Sequence, residues 1–425
     1  MEKIKILGVD EEYFHEELPN GLNVYMLVND RVNNFYITFS TKYGSVDTEF
    51  KLDGDKDFLK VHNGVAHFLE HVNFNEDVNT TAEDYFSKLG SEINAYTSFD
   101  VTVYEVTSST FFKENLEHLL DYVQKPYFTK KLIEKEKGII CEEIKMTKNN
   151  PGSKLYYGSN KGLYQKDKRR NLITGEEKDV LATTCEELQL VYDNFYNPHN
   201  MNLVITGNFN PEEAIEIIRN NQSNKVFAAY KNPIVKTTIE PMKVSVEYKE
   251  IEANVEIPKG IVSYKMSMDL FKKYDDRLLG IYLNIALRNN FGVTSLFKEE
   301  LLEKELVTFL GYSCEIFQDL VTITIDFESR VPDKIIPLIK EKVNHLEVSV
   351  EELERRKKCN IASLINNFDY IEYINNDFVD SLINFGKYEN NLFGIYKNLN
   401  IDELNDIIGN LDLENNNVTL LVPYK

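Results

Sequence analysis

The chain has 425 residues, 42% of them hydrophobic, and a formal net charge of −21. That length suffices for two domains with separate cores, while the acidity argues against binding nucleic acid, whose phosphates need clustered Lys and Arg. Cys141, Cys185, Cys314 and Cys359 lie far apart with no Cys-x-x-Cys pair, no run of about 18 apolar residues predicts a membrane span, and residues 1–17 lack the apolar stretch of a secretory leader, so reduced thiols and a cytoplasmic location are expected.

Asn20-Gly21 signals a turn before a strand at 22–28, with a second strand at 35–41. The charged stretch 46–60 reads as a loop. A helix is predicted over 61–74, and Thr80 with Glu83 fits a capping box opening another helix, which Gly90 would close. Two strands follow at 92–97 and 101–107, then helices at 111–123 and 130–147, the latter stopped by Asn149-Asn150-Pro151-Gly152. A helix at 185–195 leads through Asn197-Pro198 into an apolar strand at 201–206.

Helices interleaved with paired strands predict α+β layers, each sheet mainly antiparallel, rather than a doubly wound parallel sheet. Residues 220–241 have little pattern and mark a boundary. Glu187-Leu188, a helix, Asn200 and an apolar strand are echoed by Glu403-Leu404, a helix, Asn417 and Val418-Thr-Leu-Leu-Val422. The echo suggests two similar domains.

The chemistry concentrates at His67-Phe-Leu-Glu70-His71. On a helix, residues four apart project from one face, so both imidazoles can reach one metal ion. Glu70 shares that face and can act as a general base toward water activated by the metal. The order His-x-x-Glu-His is the inverted zincin motif. Two histidines on an ordinary amphipathic helix are the plain alternative.

A catalytic zinc takes three protein ligands and leaves a position open. On the helix at 130–147, Glu136 and Glu143 fall on the face that carries Ile133, Ile140 and Ile144, while Glu142 points about 100° away. A carboxylate aimed into an apolar interface needs a partner. Glu143 is therefore the candidate third ligand, and Glu136 a candidate to orient a ligand or the water; an ordinary charged helix, with Lys135, Lys137 and Lys145 near, is the alternative for both.

These residues resemble the pitrilysin/insulinase family of inverzincin metallopeptidases, which includes mitochondrial processing peptidase. The resemblance rests on Gly64-Val-Ala-His-Phe-Leu-Glu-His71, Gly90-Ser-Glu-Ile-Asn-Ala-Tyr-Thr97, Glu136-Lys-Gly-Ile-Ile-Cys-Glu-Glu143 and Asn197-Pro-His-Asn-Met201. It implies two homologous domains: a zinc-binding peptidase domain at 1–220, a linker at 221–241, and a domain without a metal site at 242–425. It implies one zinc per chain on His67, His71 and Glu143, with Glu70 as base and Glu136 in a supporting catalytic position. It also implies that extended peptide substrates add to a sheet edge at Asn94, Ala95, Tyr96 and Thr97.

The sequence departs from the family at one place. Active members that work alone carry an Arg and a Tyr in the second domain, where this chain has Leu301 and Thr308. The nearest likeness is to the zinc-bearing member of paired bacterial insulinase-like proteins. The expectation is a zinc endopeptidase for unstructured peptides, the catalytic subunit of a heterodimer whose paralogous partner supplies the Arg and Tyr. A non-catalytic scaffold or substrate-binding subunit is the alternative.

Overall fold

Strands β1 (Glu2–Ile6), β2 (Glu11–Glu17), β3 (Asn23–Val28) and β4 (Phe35–Thr41) open the chain. Then come two short strands, β5 (Glu49–Leu52) and β6 (Leu59–Lys60), and the longer β7 (Glu92–Thr97), β8 (Thr102–Ser108) and β9 (Met201–Gly207). The computed structural model describes residues 1–77 and 79–424. One sheet has the order β1-β2-β3-β9-β4-β8-β7. Within it only β3 and β9 run parallel; the other neighbours are antiparallel. All seven residues of β4 are buried, as expected of a central strand covered on both faces.

The stretch 46–60 is not simply a loop. β5 pairs with β6 and with β10 (Pro233–Val235), drawn from the segment that shows no sequence pattern. Phe50 anchors it, fully buried and edge-on to Phe195 at 4.8 Å. Such pairing arises between distant segments, so local periodicity does not reveal it.

The second sheet contains β11 (Tyr248–Ala253), β12 (Lys259–Ser267), β13 (Phe309–Phe317), β14 (Leu320–Glu328) and β15 (Asn416–Pro423), in the order β11-β15-β12-β14-β13. Here β11 and β15 are the parallel pair and the rest are antiparallel. Strand for strand, this is β3-β9-β4-β8-β7 again. The two echoed segments occupy matching places, β9 and β15. Their preceding helices, Cys185–Phe195 and Ile401–Gly409, start alike, with Thr184 and Asn400 accepting from the backbone N–H of Glu187 and Glu403.

The chain divides into two compact units, each assembled from three segments: 1–144, 172–237 and 362–394 in one, and 145–171, 238–361 and 395–425 in the other. The expected domain spans, 1–220 and 242–425, therefore each lend a helix to the other unit. α1 (Val65–Asn73), α2 (Ala82–Phe86), α3 (Phe112–Val123) and α4 (Lys130–Asn149) follow the first strands. The Asn-Asn-Pro-Gly stretch stops α4 but also starts α5 (Pro151–Leu163), because Asn150 caps its N-terminus by accepting from Ser153 N–H at 3.0 Å. α5 packs on the second sheet through small residues: Ser159 shares a hydrogen bond with Ser263 at 2.6 Å, and a Cβ on Gly162 would come within 2.3 Å of the Asn417 amide.

Reciprocally, helix Ile371–Phe385 covers the first sheet. Its fully buried Asn375 accepts from Thr38 Oγ1 at 2.6 Å and donates to the Tyr36 and Val204 carbonyls, both at 3.2 Å.

The capping box opens on Thr81 rather than Thr80. Thr80 N–H already donates to Asp77 at 2.9 Å, and Thr81 pairs reciprocally with Asp84. Gly90, at φ 69°, closes that helix as expected. Among the described residues no helix is long and apolar enough to cross a membrane, and no two cysteines form a disulfide.

Candidate metal centre

α1 begins four residues later than its periodicity predicts, because Gly64 sits in the left-handed region at φ 87°. A Cβ there would lie 2.3 Å from the Thr174 carbonyl oxygen, so the close approach of segment 174–175 requires glycine. From Val65 onward the helix is regular, and its buried face carries Phe68, Leu69 and Val72, each fully buried. His67, Glu70 and His71 follow on the side that meets α4. There Ile140 and Ile144 are fully buried, and Glu136 and Glu143 point the same way as predicted, while Glu142 is exposed.

His67, His71 and Glu143 converge, each offering one ligand atom within 4.8 Å of the others. His67 Nε2 stands 3.4 Å from Glu143 Oε1, and His71 Nε2 stands 3.3 Å from Glu143 Oε2. The ring centroids are 4.6 Å apart. Glu136, nearly buried, lies 3.6 Å from the other nitrogen of His71, Nδ1. This places Glu136 beside a ring rather than beside the open side of the cluster, a position that fixes which way the imidazole faces. Lys135 stands 3.5 Å from Glu136 as a second neighbour.

The electrostatics follow from the packing. Burial alone would press the His71 pKa down; the carboxylates of Glu136, Glu143 and Glu70 outweigh it and lift the imidazole to about 9. Glu143 is held well below the usual carboxylate range, first by the contacts to His67 and His71 and against the pull of burial. A metal ion bound here would have to displace the His71 proton, because only the neutral imidazole is a ligand.

The spacing fits zinc. A tetrahedral ion with ligand bonds of about 2.0–2.1 Å sets its ligand atoms about 3.3–3.4 Å apart; the nitrogen–oxygen separations here are 3.4 and 3.3 Å, each to a different oxygen of Glu143, so a small closing movement would bring one oxygen to both rings. Two imidazoles and one carboxylate are also the donor set of hydrolytic zinc sites.

Glu70 is 9% exposed and takes no part in the three-atom cluster. Its Oε2 accepts from Thr97 Oγ1 at 2.6 Å. Thr97 ends β7, so the candidate base is tied to the strand on which Asn94, Ala95, Tyr96 and Thr97 lie. That strand is the edge of its sheet, paired with β8 alone. Asn94 is exposed and the next three residues are partly exposed. The Thr97–Glu70 contact had no sequence signal, since it depends on how β7 meets α1. A buried polar chain also holds the end of α1: Asn73 donates to the Tyr104 hydroxyl at 2.8 Å, which meets the Tyr196 hydroxyl at 2.9 Å.

In the second unit, Leu301 is 3% exposed within the apolar core, and Thr308 donates to Glu328 at 2.7 Å. Neither offers an Arg- or Tyr-like donor; Tyr312, four residues beyond Thr308, lies within β13.

Known proteins place this architecture in a class. Residues 60–172 match the family model described as insulinase (peptidase family M16), and residues 183–359 match the peptidase M16 inactive domain. The chain belongs to peptidase family M16. It is 35% identical over 381 residues to the uncharacterized zinc protease YmfH of Bacillus subtilis, covering 87% of each chain. An M16-like peptidase from Alicyclobacillus acidocaldarius superposes with a TM-score of 0.91 at 27% identity, covering 99% of this chain and 100% of the other. The periplasmic protease PqqL of Escherichia coli shares the fold at TM-score 0.74 and 18% identity; 98% of this chain corresponds to 48% of that one.

Proposed function

We propose that the chain is a zinc endopeptidase acting on unstructured peptides, the catalytic subunit of a heterodimer with a paralogous chain. The observation that carries this reading is the convergence of His67, His71 and Glu143 with Glu70 alongside. The zinc-protease names of its relatives support it.

His67, His71 and Glu143 would hold one zinc. When bound, zinc supplies a Lewis acid that polarises the scissile carbonyl and makes water more acidic. Glu70 accepts the proton of the attacking water and returns it to the leaving amine. Thr97 holds the Glu70 carboxylate in place for both transfers, and Glu136 holds His71. The unpaired edge of β7 takes the peptide backbone as an added strand, with Asn94, Ala95, Tyr96 and Thr97 alongside it. Backbone pairing needs an extended chain and reads little of its sequence. A cytoplasmic location remains part of the proposal.

A partner is proposed because Leu301 and Thr308 stand where the family has its Arg and Tyr. PqqL carries about two such lengths in one chain, an arrangement that a second subunit would reproduce. The test is metal analysis alongside cleavage of an internally quenched peptide. About one zinc per chain and peptide cleavage support the reading. Full zinc content in His67→Ala/His71→Ala would rule out the site, and zinc without cleavage under any pairing would favour a binding subunit.

A further inference from the structure

Arg356, on helix Val350–Asn367, is 3% exposed and has no carboxylate partner among the described residues. Its Nη2 donates to Thr294 Oγ1 at 3.1 Å and, more distantly, to the Arg288 carbonyl at 3.4 Å. Its Nε makes no hydrogen bond among the described residues. The neighbouring Arg355 already engages Glu352 at 2.5 Å. The second cation nearby is Arg288, on helix Asp276–Phe291, which is exposed and forms no ion pair among the described residues. Burial therefore sets the Arg356 guanidinium against the Arg288 backbone, where the charges of Arg355 and Arg288 oppose it and that of Glu352 favours it, in a chain of net charge −21. Buried charges are retained at a cost unless something pairs with them.

The surroundings suit an anion. Thr294 accepts from Arg356, which leaves its own hydroxyl hydrogen free to donate. It lies just before helix Leu296–Glu303, where the Ser295 hydroxyl already takes the Lys298 N–H at 3.1 Å. Tyr312, on β13, is half-buried; burial raises its pKa, and the charges of Arg288 and Arg356 act against that rise. The flanks of Thr294 are apolar and open: Val293 is 88% exposed and Leu296 82%. An inorganic anion gains nothing from such a rim, whereas a peptide can lay side chains on it. Guanidinium groups pair with carboxylates through two parallel hydrogen bonds.

We propose that Arg356 and Arg288, with the Thr294 hydroxyl, form a binding site for a carboxylate of a peptide ligand, either its C-terminus or an Asp or Glu side chain. The proposal rests on the reading of this chain as a peptide-binding protein. It explains why Arg356 is buried without a counter-ion: the counter-ion arrives with the ligand.

The experiment uses the zinc-loaded full chain with Glu70→Gln, so that peptides bind without being cut. Fluorescent peptides of one sequence are compared as free acid, as C-terminal amide, and with each acidic side chain neutralised. The acid is expected to bind about 10- to 100-fold more tightly than its neutral counterpart, the range for a charge-assisted pair. Whether the amide or the side-chain change carries the loss tells which carboxylate is read. In Arg356→Met the acid and neutral peptides should bind alike, and Arg288→Gln should show part of the same loss. Arg356→Met should also melt no lower than the parent without ligand, since an apolar side chain replaces an unpaired buried charge.

Equal affinity for acid and neutral peptides in the parent overturns the proposal while leaving peptide binding intact. A preference that survives Arg356→Met, or a collapse of stability in that variant, also overturns it. Displacement by millimolar phosphate with no preference among peptides reassigns the site to inorganic anions. Failure of every peptide to bind removes both this site and the peptidase reading.

Discussion

The Glu70 carboxylate accepts from Thr97 Oγ1, so the proposed base and its holder can be separated by substitution. Glu70→Gln should keep zinc and lose hydrolysis by roughly 10²-fold or more, read by metal analysis and initial rates on a quenched peptide; near-normal turnover would move the base elsewhere. Thr97→Val should cost about tenfold in rate with zinc unchanged, and Thr97→Ser should restore most of it. If Thr97→Ser is as slow as Thr97→Val, the strand rather than the hydroxyl matters. The grouping of His67, Glu70 and His71, and of Glu136 and Glu143, was legible because a helix of fixed pitch dictates which residues share a face. The position of Glu136 beside His71 Nδ1, rather than near the open side, was not legible, nor was the hydroxyl of Thr97. Both depend on how one element meets another. A different residue-scale effect sits at Glu305, which holds φ 53° just after helix Leu296–Glu303. There Leu306 N–H reaches back to the Leu301 carbonyl at 2.9 Å, closing the helix where glycine usually serves. Glu305→Gly should raise stability by about 1 kcal/mol, seen as a higher denaturant midpoint with an unchanged slope.

Elements with strong periodicity or capping were legible to within a residue or so: β7, β8, β9, α3 and helix Cys185–Phe195 lie where the pattern puts them. Apart from the capping box, which local contacts to Asp77 and Asp84 shift by one residue, the failures share one cause, a partner far away in the sequence. β5 and β10 form because they pair with each other across 180 residues of chain, as with Phe50 opposite Val235. The segment after α5 is held the same way. Glu240 accepts three successive backbone N–H groups, from Gln165, Lys166 and Asp167 at 2.7, 2.7 and 2.8 Å. It also pairs with the fully buried Lys265 at 2.5 Å. Arg169 extends the latch, pairing with Asp167 at 2.8 Å and Glu315 at 2.6 Å between the rings of Tyr164 and Phe317. Removing one member leaves the other charge buried, so Lys265→Met should destabilise by about 3–5 kcal/mol. Adding Glu240→Gln should recover part of that loss, because the stranded charge is then gone. Chemical denaturation of the two single variants and the double would measure the coupling; strictly additive losses would show that the pair does not act as a unit.

At the scale of the whole molecule, the sequence echo pointed to two similar sheets, and the matched orders β3-β9-β4-β8-β7 and β11-β15-β12-β14-β13 bear it out. The reciprocal lending of α5 and helix Ile371–Phe385 left no trace in the pattern, because an amphipathic helix shows which face it buries and not which sheet it covers. The likeness between the units also sharpens what one of them lacks. In the proposed hydrolysis negative charge develops on the former carbonyl oxygen, and a bound zinc would stabilise only part of it. Loss of one further donor typically costs about 10²–10³ in rate. Leu301 is in the core of its unit and cannot donate, and the Thr308 hydroxyl is already spent on Glu328. A paralogue that lacks His-x-x-Glu-His but keeps the Arg and Tyr would supply both donors from its own second domain. The purified chain should therefore bind zinc yet cleave a quenched peptide poorly, and adding the co-encoded paralogue should raise the rate by roughly 10²-fold. Replacing the paralogue's Tyr by Phe should remove most of that gain while zinc stays bound to this chain. Should the isolated chain cleave as fast alone as with every co-encoded paralogue, the donors must lie within it, and Tyr312 becomes the first residue to replace.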